Sequence, residues 1–264
     1  PSHGFLHTSN PENRLLKSFA FYFRGYEHSA HLYEIFPKKK SAGVRHMAID
    51  HPLLASPNPE TGRPMIYTDD PPDAPFQTDA NRFALFCAAA STAVVSGLPG
   101  SFDLIHLHDW HAALIAFLRS FSPNHAALKS IPTVYTIHNL AIQGIRPLRR
   151  HPSSLEAWFP DFAYDWGKVA DPRWNDCVNL MAAGIRLSDM VHTVSPSYAQ
   201  EIQEPSRKPV FFGGEGLESD LKKANEQGRL VGILNGCDYE NTIKSPKRDF
   251  SETISTLKAA VLEW

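Results

Sequence analysis

The chain has 264 residues, of which 42% are hydrophobic, and a formal net charge of −2. This balance excludes a strong positive field that would attract nucleic acid or an anionic membrane surface, and no apolar run approaches the roughly 20 residues that span a bilayer. The three cysteines, Cys87, Cys177 and Cys237, are far apart and form no C-x-x-C pair. This distribution of cysteines favours a reducing compartment and argues against a disulfide framework or a zinc knot.

The N-terminal part of the chain combines short strand patterns with one clear helix. Alternating aromatic residues predict a strand over 18–26, and further strands are predicted over 31–36 and 44–49. Residues 51–76 contain many prolines and acidic residues and show no hydrophobic periodicity, so they predict a long surface loop. Apolar residues at helical spacing predict a helix over 78–96.

The remaining elements alternate between strand and helix. A strand over 103–107, a helix over 110–120 and a strand over 132–137 form a β-α-β unit, which is normally parallel and right-handed. The elements predicted after it are an irregular segment over 140–171, a helix over 173–187, a strand over 190–194, a helix beginning at Ser195-Pro196, and a strand over 230–234. Alternation of this kind predicts a doubly wound, Rossmann-like α/β domain.

Polar residues directly follow four of the predicted strands. They are His108-Asp109, His138-Asn139, Ser195 and Asn235. The carboxyl ends of parallel strands form the ligand crevice of open α/β sheets. We therefore expect the imidazole of His138 and the carboxylate of Asp109 to lie side by side in one cleft.

Three residues at or beside these strand ends can have either a structural or a functional role. Asp109 is either the N-cap of the following helix or a carboxylate that faces a ligand, and it can be both. Trp110 is either a core anchor or a stacking platform for a sugar. The position of His138 at a strand end favours a functional role over that of a hydrogen-bonded loop histidine.

Other patterns suggest different chemistry. A histidine-rich run could hold a metal ion, because alternate residues of a strand share one face. Its candidate ligands are His106, His108, Asp109 and His111, with His138 and His192 as candidates to complete the shell. Residues 213–216 lack the spacing of a P-loop or a G-x-G-x-x-G motif, so a flexible turn is the default. Ser195 is not part of a G-x-S-x-G elbow, which gives a serine hydrolase little support.

Six short motifs resemble those of the glycogen and starch synthases of the bacterial and plastid type. They are HLHDWH at 106–111, TIHNLA at 136–141, MAAG at 181–184, TVSPSY at 193–198, GEGL at 214–217 and GILNGCD at 232–238. Each motif alone is modest, but six in the family's order are highly specific. Order and approximate spacing match from about residue 45 to residue 240.

The resemblance implies a GT-B architecture, in which two Rossmann-like domains enclose the active site. It implies transfer of glucose from a nucleotide-diphosphate glucose, usually ADP-glucose, to the non-reducing end of an α-1,4-glucan, with retention at the anomeric carbon. Residues 1–240 would form most of the N-terminal, acceptor-side domain. Residues 241–264 would begin the linker toward an absent C-terminal nucleotide-binding domain.

The same resemblance assigns roles residue by residue. His138 matches the active-site histidine near the donor glucose, and Asp109 matches the acidic residue that faces the sugar. The implied substrate-binding residues are Trp110 beside the acceptor, Asn235 near the donor sugar, and Asn139, Gly214 and Glu215. No metal and no cofactor are implied, because ADP-glucose is a donor substrate.

The sequence also departs from the family. It lacks the N-terminal K-x-G-G-L-x-D-V loop, the C-terminal domain, and the usual tryptophan after N-G-x-D, near residues 242–243. Because the first strand is central in a doubly wound sheet, we expect the remaining strands to leave a gap. We therefore expect these residues alone to be poorly stable and inactive.

Three functional hypotheses follow from the sequence. The first is the synthase, with a glucan acceptor, a nucleotide-sugar donor and its own C-terminal domain as partners, and with neither nucleic acid nor membrane. Its expected location is the bacterial cytoplasm or the plastid stroma. The second is a metal-dependent hydrolase built on the histidine run, and the third is a non-catalytic glucan-binding domain.

Overall fold

A computed structural model describes residues 13–36, 43–54, 67–68, 70–236, 254–255 and 258–259. The chain divides into two compact units, Pro1–Ile233 and Leu234–Trp264. In the second unit, residues 254–255 and 258–259 are helical. Residues 55–66 and 69 of the loop predicted over 51–76, and Cys237 and Asp238 of the last motif, lie outside the described residues.

The first unit contains the regular elements. Its strands are β1 (Arg14–Phe23), β2 (Tyr26–Ile35), β3 (His46–Asp50), β4 (Ile105–His108), β5 (Thr133–Ile137), β6 (Ile145–Pro147), β7 (Cys177–Asn179), β8 (Met190–Thr193) and β9 (Leu230–Gly232). Its α-helices are α1 (Gln77–Val95), α2 (Asp109–Phe121), α3 (Leu155–Trp158), α4 (Leu180–Leu187), α5 (Pro196–Glu201) and α6 (Glu218–Glu226). Two 3-10 segments lie at Pro123–Ser130 and Trp166–Lys168.

Four parallel strands form the sheet that carries the polar strand ends. Their order is β4-β5-β8-β9, and each strand pairs directly with its neighbour. The predicted strands at 103–107, 132–137, 190–194 and 230–234 are therefore confirmed within about two residues, the usual uncertainty of element ends. The α/β fold class is confirmed as well.

The expected gap in the sheet is not present, and that prediction is wrong. The strands before residue 51 do not belong to the parallel sheet, because β1, β2 and β3 pair antiparallel in a sheet of their own. The cause is the two-residue connection Arg24-Gly25, whose φ angles of 57° and 76° are both positive. Such a turn closes a tight hairpin, so the strand predicted over 18–26 ends at Phe23.

The helix predicted over 173–187 is also shorter than expected. Residues 177–179 form β7, which pairs antiparallel with β6, and α4 begins only at Leu180. The buried side chain of Asn179 accepts a hydrogen bond from the Ala182 backbone N–H and so caps α4. Asn at an N-cap stops a helix from extending toward its N-terminus.

The core lies between the helices and the parallel sheet. Helix α2 packs against both α1 and α4. The largest fully buried side chains include Tyr135 in β5, Phe117 in α2 and Trp158 in α3. Because this core holds the carboxyl ends of β4 and β5 side by side, the residues that follow these strands have fixed positions.

Candidate active site

The carboxylate of Asp109 joins the ends of β4 and β5. Its Oδ1 accepts hydrogen bonds from the backbone N–H of His138 at 2.8 Å and of Asn139 at 3.3 Å. The N-cap residue of α2 is His108, which makes no side-chain cap. The N-cap reading of Asp109 is therefore wrong, although a carboxylate in the first turn of α2 still interacts favourably with the helix dipole.

The backbone of Asp109 is unusual. Its φ of 50° lies in the left-handed region, which non-glycine residues adopt rarely and in which aspartate and asparagine are enriched. Residues held in such conformations concentrate at functional sites, where the surrounding structure maintains the strain. This conformation points the Asp109 carboxylate across to the neighbouring strand end.

A pocket of about 280 Å³ opens beside Asp109. Its volume is near the lower end of the range for small-molecule sites. Aromatic rings and a few polar groups line it, a combination that suits a ligand with both apolar and hydroxyl-bearing surfaces. The lining residues are Tyr67, Phe76, Asp109, Trp110, His111, Asn139 and Ile142.

Trp110 has both of the roles that the sequence left open. It is buried and meets the ring of Phe83 edge to face, with centroids 5.1 Å apart, so it anchors the core. It also lines the pocket. A Cβ at Gly144 would lie 2.5 Å from the indole Cε3, so only glycine leaves room for this ring.

A row of imidazoles lies on the sheet next to the pocket. The Nδ1 of His108 and the Nε2 of His138 are 2.9 Å apart, and the two rings stack with centroids 5.2 Å apart. The ring of His106 lies 4.3 Å from that of His108. The Thr136 hydroxyl bridges His106, at 2.6 Å, and His192, at 2.9 Å.

The surroundings keep two of these imidazoles neutral. Burial lowers the pKa of His106, and the nearby imidazoles of His192 and His138 lower it further. Burial also lowers the pKa of His108, as do His106 and His138, whereas Asp109 raises it. These effects favour the neutral form of both rings, in which one nitrogen donates and the other accepts.

The loop after β5 is tied to the glycine-rich segment at 213–216. Gln143 donates from Nε2 to the carbonyl oxygens of Leu140 and Glu215, and Arg173 donates to the Glu215 carbonyl and to Gln143 Oε1. The Glu215 carboxylate pairs with Lys208 at 2.7 Å. The glycine-rich segment is therefore held by specific bonds rather than forming a flexible turn.

The structure brings together several of the predicted site residues. Asp109, Trp110 and Asn139 share the pocket, and the backbone of His138 touches Asp109. The His138 side chain does not line the pocket but stacks on His108. The two regions meet at the Asp109–His138 hydrogen bond.

The other predicted residues lie elsewhere. Gly214 is buried, and a Cβ there would meet the Ile202 carbonyl oxygen at 2.5 Å, so packing alone requires glycine. Glu215 connects to the post-β5 loop through Gln143. Asn235 belongs to the second unit. Substrate binding by these three residues stays a prediction.

Some of the lining residues carry no signal in the sequence. Tyr67 and Phe76 lie in the segment 51–76, which shows no periodicity, and Ile142 follows a motif without belonging to it. His111 appeared as a candidate metal ligand and as the last residue of one motif, but not as a lining residue of the pocket. Its Nε2 lies 3.3 Å from the Tyr67 hydroxyl, and burial lowers its pKa, while Asp109 raises it.

A second cavity, of about 540 Å³, lies between β2, β3 and α1. Its lining is apolar apart from His111, which borders both cavities. It offers few groups that could orient a polar substrate. The pocket beside Asp109 is therefore the candidate active site.

The metal hypothesis finds no support in the described part of the chain. Within it, no group of three or more His, Cys, Asp or Glu side chains is arranged to hold a metal ion. The same residues include no helix with the length and apolarity needed to cross a membrane.

Comparisons with known proteins agree with the geometry. The family described as "Starch synthase catalytic domain" matches residues 1–223. The chain is similar to the glycogen synthases of Streptococcus gordonii (42% identical over 176 residues) and of Clostridioides difficile (37% identical over 174 residues), and each match covers 65% of this chain. These matches cover 33% and 32% of the two relatives, so the chain spans about a third of their length.

A solved structure is also similar. It is the catalytic domain of starch synthase IV from Arabidopsis thaliana bound to ADP and acarbose, with a TM-score of 0.65 and 25% identity. The match covers 89% of this chain and 43% of that one. The chain belongs to the starch synthase catalytic domain family.

Proposed function

We propose that the protein is a glucosyltransferase that extends an α-1,4-glucan from ADP-glucose with retention of configuration. The observation that carries the proposal is the pocket at the carboxyl ends of β4 and β5, where the Asp109 carboxylate is bonded to the His138-Asn139 backbone. Family membership and the glycogen synthase relatives support the reaction. The ADP bound in the Arabidopsis relative supports the nucleotide.

Asp109 in the pocket and His138 beside it have chemically distinct roles in this proposal. Glucosyl transfer passes through an oxocarbenium-like state, and the fixed carboxylate of Asp109 stabilises its positive charge. His138 contacts the donor glucose. The donor phosphate leaves from the face on which the acceptor hydroxyl attacks, so retention needs no nucleophile pair, and neither a metal nor a cofactor takes part.

The binding groups complete the arrangement. Trp110 offers its ring edge to the acceptor glucan, and the Asn139 side chain is oriented by the bond that its Oδ1 accepts from the Ala141 N–H at 2.9 Å. Asn235, Gly214 and Glu215 contribute to substrate binding. The nucleotide is held by a C-terminal domain of the same protein, and the location is the bacterial cytoplasm or the plastid stroma.

The test measures transfer of radiolabelled glucose from ADP-glucose to glycogen by the complete natural protein that contains this chain. We expect incorporation of label that α-1,4-specific digestion releases. The residues 1–264 expressed alone are expected to give no incorporation. Glucan binding without incorporation by the folded complete protein would contradict the proposal, and so would stoichiometric zinc or iron that is required for hydrolysis.

A further inference from the structure

His138, to which the proposed function assigns contact with the donor glucose, is hydrogen-bonded to another imidazole. His108, the last residue of β4, and His138, which follows β5, project from adjacent parallel strands with 2.9 Å between His108 Nδ1 and His138 Nε2. The rings are inclined by only 24°. Both residues keep much of their surface exposed to solvent, although the His108 ring is partly desolvated, so packing alone does not explain why the two rings adopt this arrangement.

We propose that His108 is a positioning residue for His138, and that its Nδ1 fixes the tautomer and the ring orientation with which His138 meets the donor sugar. The proposal rests on the proposed function. It concerns a residue that acts through His138 rather than one that touches the substrate.

The physical reason is that the protons carried by the two imidazole rings determine which nitrogen can donate and which can accept. A hydrogen bond between two ring nitrogens requires one to donate and the other to accept. The state of His138 Nε2 is then set by His108, and in a neutral ring this also sets whether His138 Nδ1 carries the proton. One contact thus determines which nitrogen His138 has available to donate or accept at the sugar.

The ring of His108 is itself held in place by neighbouring residues. Its ring packs on that of His106, whose Nε2 is bonded to the hydroxyl of Thr136. Thr136 is buried and bonded to His192 as well. Residues 106 and 108 share one face of β4, because side chains on a strand repeat every second residue. These contacts restrict the rotamer of His108, as a precisely arranged site requires.

The charged and titratable groups around the pair are few. Within the described residues they are Asp109, His106 and His192. Asp109 Oδ1 is bonded to the backbone of His138, so the carboxylate fixes the main chain while His108 fixes the ring. The two residues therefore position the same histidine by independent contacts.

The first experiment compares two substitutions in the complete protein. In His108→Asn the amide group takes the position of Nδ1 and keeps a hydrogen-bonding partner for His138, whereas His108→Leu removes it. We expect His108→Leu to lower kcat about ten- to a hundredfold with little change in KM, because misorientation of a catalytic group costs rate. His108→Asn is expected to retain most of the wild-type kcat.

The matched control is His31, an exposed β2 histidine whose Nδ1 bonds to Ser18 at 2.7 Å. His31→Asn and His31→Leu are expected to leave kcat unchanged. Equal losses in the two His108 variants, or a change confined to KM, would overturn the positioning role. Full activity of His108→Leu would overturn it as well.

A second readout does not depend on glucosyl transfer. With ¹⁵N-labelled histidine, NMR is expected to detect a scalar coupling across the His108–His138 hydrogen bond and a single His138 tautomer. His108→Leu should abolish the coupling and His31→Leu should preserve it. Absence of the coupling in the wild-type protein would overturn the inference. Its presence in a protein that transfers no glucose would leave the positioning geometry intact and overturn the proposed function instead.

Discussion

The close approach of Gly144 and Trp110 determines the shape of the candidate pocket. Gly144 has a φ of 66°, and the Cβ that any other residue adds would lie 2.5 Å from the Trp110 ring. The ring is packed against Phe83 and cannot retreat without disturbing the core. Two properties therefore require glycine at position 144: its positive φ angle and the close approach of the Trp110 ring.

We predict that Gly144→Ala destabilises the protein by about 2–4 kcal/mol, because it combines backbone strain with overpacking. Gly228→Ala is a close control, since Gly228 has a φ of 67° and open space where the Cβ would go. It should cost about 1–2 kcal/mol from backbone strain alone. Urea unfolding of both variants measures the difference, and equal losses would show that the Trp110 contact is not tight.

Single residues also explain which parts of the site the sequence could predict. His138, Asp109 and Asn139 directly follow buried apolar strands, so the rule that ligands bind at strand ends locates them. Tyr67 and Phe76 reach the pocket from a segment without periodicity, and only tertiary packing brings them there. The sequence left the N-cap role of Asp109 open for the same reason, because the partners of its carboxylate follow another strand.

At the scale of elements, strongly patterned segments were predictable and hairpins were not. The helix over 78–96 and the parallel strands have clear apolar patterns and are confirmed. The Arg24-Gly25 turn carries a weak signal, because only one of its two positive-φ residues is glycine. The expectation of a gap has another origin: it assumed the strand order of a complete doubly wound sheet, whereas β4, β5, β8 and β9 pair directly with one another.

Asn179 connects the start of α4 to two loop residues. It caps α4, and its side-chain amide donates to Gln143 and Asp171 at 2.7 and 2.8 Å. We predict that Asn179→Ala costs about 2–4 kcal/mol, because the cap is lost and two buried acceptors lose a donor. Ser195→Ala removes the cap of α5 and an exposed hydrogen bond to the Ser197 hydroxyl, and it should cost about 1 kcal/mol. Similar thermal shifts in the two variants would contradict this interpretation.

At the scale of the whole molecule, two hydrogen-bonded carboxylates connect parts of the chain: Asp189 joins segments that are distant in the sequence, and Asp171 joins neighbouring ones. Asp189, just before β8, accepts hydrogen bonds from Thr133 and Arg119, and Asp171 accepts bonds from Arg173 and Asn179. Burial alone would raise the pKa of each carboxyl, but these hydrogen bonds and the nearby arginines outweigh it and lower both pKa values.

The sign of the pH dependence follows. A carboxyl whose pKa is lower in the folded protein stabilises it fully above the unfolded value, near 4, and loses this contribution as the pH falls through the folded value. We predict that the free energy of unfolding decreases below about pH 4. In Asp189→Asn and Asp171→Asn the decrease should be shallower.

The exposed Asp161 offers the control. Asp161→Asn should leave the acid limb of the unfolding curve unchanged. Chemical denaturation between about pH 3 and 7 measures all three variants, a range that brackets the usual carboxyl values. Acid limbs of equal slope in all of them would contradict the connecting role of Asp171 and Asp189.

The central claim is that the Asp109 carboxylate stabilises charge on a transferring sugar, and one substitution tests it most directly. Asp109→Asn keeps an oxygen for the His138 and Asn139 backbone bonds and suits the left-handed backbone, but it removes the negative charge. In the complete protein we predict a fall of about a hundredfold or more in the rate of glucosyl transfer, with unchanged unfolding stability. A transfer rate equal to that of the unsubstituted protein would contradict the account.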